Sequence, residues 1–165
     1  TSDVISEVER CFADALGVCC QLLEDPRLLP GAGATQVALA RLLRRKAESI
    51  PGREQMAIDA FADALESIPR ALATNAGFDG VDSLLKLVAM QSEGGENIGL
   101  NLEAGEPSDV VERGVMEPLN ITRQAISGAS EAAISILRID DVLWATMEPE
   151  IPEEAQQRLQ GFGAE

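Results

Sequence analysis

The short loop Leu29-Pro-Gly-Ala-Gly-Ala-Thr35, which lies between two helical segments, most constrains how this chain folds. Pro30 stops the incoming segment, and Gly31 and Gly33 permit backbone angles and close approaches that a side chain would prevent. Thr35 is of a residue type that caps helices. The loop therefore predicts a turn that opens onto a helix N-terminus, where free N–H groups attract an anion or a nucleotide. Gly-x-Gly alone leaves open the alternative of a tight turn whose glycines serve only packing.

Apolar residues recur every three or four positions in five segments, which places them on one face of a helix. The first segment ends at Asp25-Pro26 and carries Asp14 on its polar side. Pro69 kinks or ends the third segment, and Asp79 is placed to cap the fourth. The predicted inward residues of the fifth segment, which runs from Pro118 to about Arg138, are mostly small: Ala125, Ala129, Ala132, Ala133, Ile136 and Leu137.

Strand signals are few. Residues 97–103 alternate apolar and small polar side chains, which predicts a short strand or hairpin arm. Residues 139–147 are capable of forming an edge strand, and residues 148–165 form an acidic, proline-containing tail that we expect to be flexible. The fold class predicted is one mainly α, multihelical domain with a short β-hairpin and a C-terminal edge strand.

The charge balance excludes two classes of partner. The chain has 28 acidic residues against 13 Lys and Arg, a formal net charge of −15. Such a field repels nucleic-acid backbones and anionic lipid, so we expect neither nucleic acid nor membrane as a partner. Acid excess with few lysines and 3% aromatic residues is typical of a salt-rich cytoplasm, although an ordinary acidic cytosolic protein fits as well. The basic cluster Arg41–Lys46 predicts ion pairs with acids of a neighbouring helix or subunit.

Cysteine usage and the absence of a leader-like or bilayer-length apolar run predict a cytoplasmic protein. Cys11, Cys19 and Cys20 are expected to be reduced thiols in or near the core. The chain contains no histidine, which makes a zinc site improbable. It begins at Thr1 with a helix already under way, and we therefore expect it to be part of a longer chain.

Several motifs in order resemble the group II chaperonins, the archaeal thermosome and its eukaryotic cytosolic relatives. The resemblance runs in register from about Ile5 to Val142. Its motifs are Glu7-Val-Glu-Arg-x-x-x-Asp14-Ala-Leu, Pro30-Gly-x-Gly-Ala34, Pro51-Gly-x-Glu-Gln-x-Ala-Ile58, Phe61-Ala-x-Ala-Leu-Glu66, Ile68-Pro-Arg-x-Leu-Ala73, Asn75-Ala-Gly-x-Asp79, Gly114-Val-Met-Glu-Pro118 and Ile136-Leu-Arg-Ile-Asp-Asp-Val142.

The resemblance implies that the chain is the C-terminal third of a chaperonin subunit. Residues 1–25 would be the returning helix of the intermediate domain, and residues 26–147 the C-terminal part of the equatorial ATP-binding domain. The family implies a double ring of subunits that hydrolyses ATP to fold unfolded proteins, which it binds through domains absent here. The alternative from another class is a non-catalytic helical interaction or assembly module derived from a chaperonin.

By position, the resemblance also implies the site residues. Asp14 matches the catalytic acid that orients or deprotonates the attacking water. The nucleotide-binding positions are Gly31, Ala32 and Gly33 in the loop, Asn101 and Leu102 in the hairpin that borders the base, and Glu117 near the ribose. Phosphoryl transfer needs mainly positioning and charge stabilisation, so a single carboxylate in line with the γ-phosphate is enough to manage the attacking water.

Three departures from the family pattern bear on activity. Ala13 stands where the family commonly has histidine, and Ala32 replaces the middle glycine, which adds a methyl group close to the nucleotide. The family's Gly-Asp-Gly-Thr-Thr loop, whose acid holds the metal, does not occur in this sequence. The ligand for magnesium is therefore expected outside this chain, and we expect the isolated chain to hydrolyse ATP negligibly.

Overall fold

The structure is a computed structural model that describes residues 2–141. It is mainly helical, as predicted, with four short strands in this range. The elements in chain order are α1 Ser2–Glu24, β1 Leu28–Pro30, α2 Ala34–Ala47, α3 Arg53–Asn75, α4 Gly80–Gly94, β2 Ile98–Asn101, β3 Glu106–Asp109, β4 Met116–Pro118 and α5 Leu119–Leu137. No helix among these residues is long and apolar enough to cross a membrane.

Helices α2, α3 and α4 form the core together with β2. One buried cluster joins all four elements through Val37, Ala73, Leu84, Leu87 and Leu100. A second joins α2 to α3 through Ala40, Ala62 and Leu65. Apolar burial of this kind is the main favourable term in folding, so these three helices hold the glycine loop and the hairpin in place.

Two antiparallel strand pairs complete the fold. Strands β2 and β3 form the predicted hairpin, in which Asn101 lies opposite Glu106. Strand β1 pairs with β4, so that Leu29 lies opposite Glu117. This second pair was not predicted, because three residues are too few to show alternation and the partners are far apart in sequence.

The basic cluster of α2 makes an ion pair inside the fold. Arg44 donates from both terminal nitrogens to the carboxylate of Glu66 on α3, one of these bonds being 2.8 Å long, and also to Asp63 at 2.7 Å. The Glu66 side chain is only 7% exposed. The hydrogen bond from Arg44 to Glu66, together with Asp63, raises the pKa of the guanidinium group. The predicted pairing with a neighbouring helix is therefore confirmed for Arg44.

Pro69 neither ends nor interrupts α3, contrary to one of the predicted outcomes. The helix continues to Asn75, and Pro69 is buried. Its ring lies against the backbone of Gly33, so that packing offsets the hydrogen bond that proline removes. Two large apolar residues of α3, Phe61 and Ile68, are 40% and 43% exposed.

Helix α1 forms as predicted, but its environment differs from the prediction. Every residue from Asp3 to Cys20 is exposed, including Phe12 at 66%. The three cysteines are free and exposed, so the expectation that they lie in or near the core is wrong. Periodicity specifies which residues share a face, and whether that face is covered depends on a partner.

The described chain divides into two compact units between Gly128 and Ala129. The core and both strand pairs lie in the first unit. In the second, α5 continues to Leu137, and the residues expected to face inward are exposed. Residues 139–141 form no strand, while the rest of the predicted edge strand and the tail 148–165 lie outside the described residues.

Candidate functional site

The glycine loop is a tight, buried turn between β1 and α2. The Gly31 N–H donates to the Val115 carbonyl at 3.0 Å, and the Ala34 N–H donates back to the Gly31 carbonyl at 3.0 Å. Ala32 and Gly33 have φ angles of 51° and 81°, in the left-handed region. Alanine is disfavoured there because its Cβ crowds the following carbonyl group. The loop thus holds a strained alanine between two glycines.

Packing explains the second glycine of the loop. A Cβ on Gly33 would lie 2.6 Å from Pro69 Cβ, so no side chain fits there. Gly33 is also the residue before α2, and the predicted cap at Thr35 is wrong. Thr35 is already inside the helix, and its hydroxyl group donates to the Pro30 carbonyl at 2.7 Å. The packing role that the sequence left open therefore applies to Gly33.

The β2–β3 hairpin is fastened directly to this loop. The Leu100 N–H donates to the Ala32 carbonyl at 3.0 Å. At Gly99 an added Cβ would lie 2.7 Å from Val110 Cγ1 and 3.0 Å from the Gly31 carbonyl oxygen. The hairpin can approach the loop this closely only because residue 99 has no side chain.

A cavity of about 180 Å³ lies where the loop, the hairpin and the following turn meet. Three residues assigned to the nucleotide site by sequence line it, namely Ala32, Asn101 and Leu102. The remaining lining residues are Leu100, Glu103, Val110, Arg113 and Val115. Apolar side chains with a few polar groups are the usual lining of a small-molecule site.

Arg113 and Glu103 are the charged residues of this cavity. The Arg113 guanidinium donates to the Glu103 carboxylate at 3.1 Å. Neither residue was assigned to the site from the sequence, because they are ten positions apart with strand β3 between them. Asn101 holds the turn beside them, since its side-chain oxygen accepts from the N–H groups of Glu103 and Ala104.

Glu117 lies on β4, beside the glycine loop in the fold. It is half-buried, and the side-chain amide nitrogen of Gln36 donates to its Oε1 at 3.3 Å. Gln36 is 7% exposed and stands in the first turn of α2. No sequence signal points to Gln36 as this partner, since a polar residue near a helix start is usually solvent-exposed.

Asp14 is not brought together with the other predicted residues. It lies on α1, and its side chain is 70% exposed and pairs with Arg10 at 3.5 Å. Ten residues separate it from the end of α1 at Glu24, or about 15 Å along the helix. Asp14 does not line the cavity.

Comparisons with known proteins agree with the sequence motifs. Residues 1–146 match the TCP-1/cpn60 chaperonin family. A thermosome subunit of Pyrococcus horikoshii is 49% identical over 146 residues, which are 88% of this chain and 27% of that protein. The thermosome subunit beta of Halobacterium salinarum is 49% identical over 146 residues, or 88% of this chain and 26% of that protein.

A solved structure agrees in fold as well. The open-state monomer of a group II chaperonin from Methanococcoides burtonii superimposes with a TM-score of 0.71 at 42% identity. The match covers 84% of this chain and 35% of that one. The chain thus spans only about a quarter to a third of the length of these relatives.

Proposed function

This chain belongs to the TCP-1/cpn60 chaperonin family, and we propose that it supplies one side of the nucleotide site of an ATP-dependent protein-folding chaperonin subunit. The observation that carries the proposal is the convergence of Ala32, Asn101 and Leu102 on one cavity, although 69 positions separate the first two in sequence. A lining of this kind suits the faces of a purine ring, with polar groups at its edge.

Each proposed residue has a defined task. The backbone of Gly31, Ala32 and Gly33 and the hairpin at Asn101 and Leu102 border the bound ATP or ADP. Glu117 accepts a hydrogen bond from a ribose hydroxyl group, for which a carboxylate is suited. Asp14 orients the attacking water after α1 takes up its place in the whole subunit.

Magnesium needs ligands from elsewhere. Among residues 2–141, the structure shows no group of three or more acidic or cysteine side chains placed to hold a metal ion. Because the family's metal-holding Gly-Asp-Gly-Thr-Thr loop does not occur in this sequence, we propose that the metal ligand comes from a part of the subunit outside this chain, and we derive no step through the ion. With neither metal nor organised phosphates at Asp14, the isolated chain should turn over ATP negligibly.

The proposal extends to the partners of the whole protein. Other subunits of a double ring and unfolded polypeptides, the latter through domains not present here, are the partners that the family suggests. Neither nucleic acid nor a membrane is expected, because the net charge of −15 opposes both. We propose a cytoplasmic location, because the three cysteines are free thiols and disulfides are rare in the cytosol.

One observation favours the second candidate, a non-catalytic interaction module. Asp14 does not line the cavity, and the apolar face of α1 is exposed over most of its length. A module of this kind would use such a helix for contacts alone. The two candidates differ in one measurable respect, which is whether the cavity binds a nucleotide.

The deciding experiment is a calorimetric titration of ADP into the folded chain in concentrated potassium chloride. We expect saturable one-to-one binding that weakens in Glu117→Ala. Glu112→Ala is the matched control, because it removes the same charge from an exposed side chain in the turn that follows β3. A chain that is folded by circular dichroism and binds no ADP would favour the interaction module.

A further inference from the structure

Glu117 is held by a buried neighbour rather than free to rotate in solvent. The Gln36 side-chain nitrogen lies 3.3 Å from Glu117 Oε1. The two residues come from α2 and β4 and are 81 positions apart in sequence. Strand β4 is itself fixed by its pairing with β1, in which Leu29 lies opposite Glu117.

The orientation of the Gln36 amide group follows from this contact. An amide can approach a carboxylate favourably only through its nitrogen, because its oxygen would meet a like-charged atom. The amide oxygen, Oε1, is consequently left buried and without a hydrogen-bond partner among the described residues. Leaving a buried acceptor unpaired is destabilising.

From this geometry we propose that Gln36 is a positioning residue for Glu117, one that determines how strongly the site selects a ribose with free hydroxyl groups. The inference rests on the proposed function, in which Glu117 meets the ribose. Gln36 holds Oε1 of the Glu117 carboxylate. The other carboxylate oxygen of Glu117, Oε2, has no hydrogen-bond partner within the described residues and is available to a ligand. A carboxylate fixed in advance binds a hydroxyl group more tightly, since less side-chain freedom is lost on binding.

The experiment compares ADP with 2′,3′-dideoxy-ADP, which lacks both ribose hydroxyl groups. We expect the chain to bind ADP about tenfold more tightly, because a hydrogen bond to a charged group is worth at least that factor. Gln36→Met keeps the length of the side chain and removes the donor. It should reduce the ratio of the two dissociation constants to about twofold, mainly by weakening the binding of ADP.

A second buried glutamine provides the structural control. Gln91 is 1% exposed and donates to the carbonyl groups of Ala34 and Ile98, both at 2.8 Å, and its amide oxygen is also unpaired. Gln91→Met should lower the thermal midpoint of unfolding at least as much as Gln36→Met does. It should leave the ratio of the two dissociation constants unchanged, because Gln91 does not contact Glu117.

Gln36→Glu keeps the test decisive where Gln36→Met fails to fold. It removes the donor and places two carboxylates against each other, so the ratio should again fall to about twofold. A ratio that stays near tenfold in either folded variant overturns the inference and leaves the proposed function standing. If ADP itself does not bind the folded chain, the proposed function fails as well, and the two failures are thereby distinguished.

Discussion

Helices α1 and α2 have similar apolar spacing and opposite environments. Val37, Ala40 and Ala47 of α2 are buried among α3, α4 and β2, whereas the apolar residues of α1 remain exposed over most of its length. The glycine loop leads directly into the buried start of α2, whereas Asp14 lies on the exposed helix α1. The comparison shows that contacts within this chain fix the residues proposed for the nucleotide, whereas Asp14, the proposed catalytic acid, lies on an exposed helix.

The largest expected difference in stability is between a glycine at the buried start of α2, Gly33, and one in exposed α1, Gly17. Gly33→Ala should destabilise the fold by about 3 kcal/mol, since its Cβ would meet Pro69 at 2.6 Å and its φ is 81°. Gly17→Ala, in exposed α1 with nothing within 4 Å, should stabilise it by up to about 1 kcal/mol. Urea unfolding of both variants measures the difference, and equal effects would show that the loop tolerates a side chain.

An arginine of each region gives the next contrast. Arg44→Met leaves the Glu66 carboxylate buried without its cation and should lower the free energy of unfolding by about 2 kcal/mol. The effect is smaller than for a fully buried pair, because the Arg44 side chain is 38% exposed and solvent screens its charge. Arg10→Met breaks the exposed pair with Glu7 on α1 and should leave the urea midpoint unchanged. A small effect at Arg44 would mean that Glu66 finds another partner or becomes hydrated.

A smaller change in stability is expected from Ala32→Gly, which should stabilise the fold where Arg44→Met destabilises it. Ala32→Gly relieves the left-handed strain at φ 51°, partly offset by the greater freedom of glycine when unfolded. A net stabilisation of about 0.5–1 kcal/mol should result, with stronger ADP binding because a methyl group leaves the cavity wall. Ala13→Gly on α1 is the control, and it should destabilise because that residue is helical.

Much of this architecture could be predicted from the sequence. The hairpin at residues 97–103, the Asp79 cap and the start of α5 after Pro118 all rest on local signals, and the structure confirms them. Where burial depends on contacts distant in sequence, prediction failed, as at the three cysteines. The same limit applies to the site, since Arg113 and Gln36 join it through tertiary contacts that no spacing reveals.

The smallest expected effect concerns the segment between α1 and β1, where an ion pair makes stability depend on pH. Arg27 donates to Asp25 at 2.6 and 2.8 Å just beyond the end of α1, and this hydrogen bonding lowers the pKa of Asp25 to about 2. Because the folded-state pKa lies below the unfolded value, the pair stabilises the fold above about pH 4. That contribution is lost as the pH falls from about 4 towards 2.

Carbon-detected NMR titration of the carboxyl group tests this directly. Arg27→Gln should return the pKa of Asp25 towards its ordinary value of 3.8, while Arg10→Gln, on exposed α1, should leave it unchanged. A pKa near 3.8 in the unmodified chain would mean that the pair does not persist in solution.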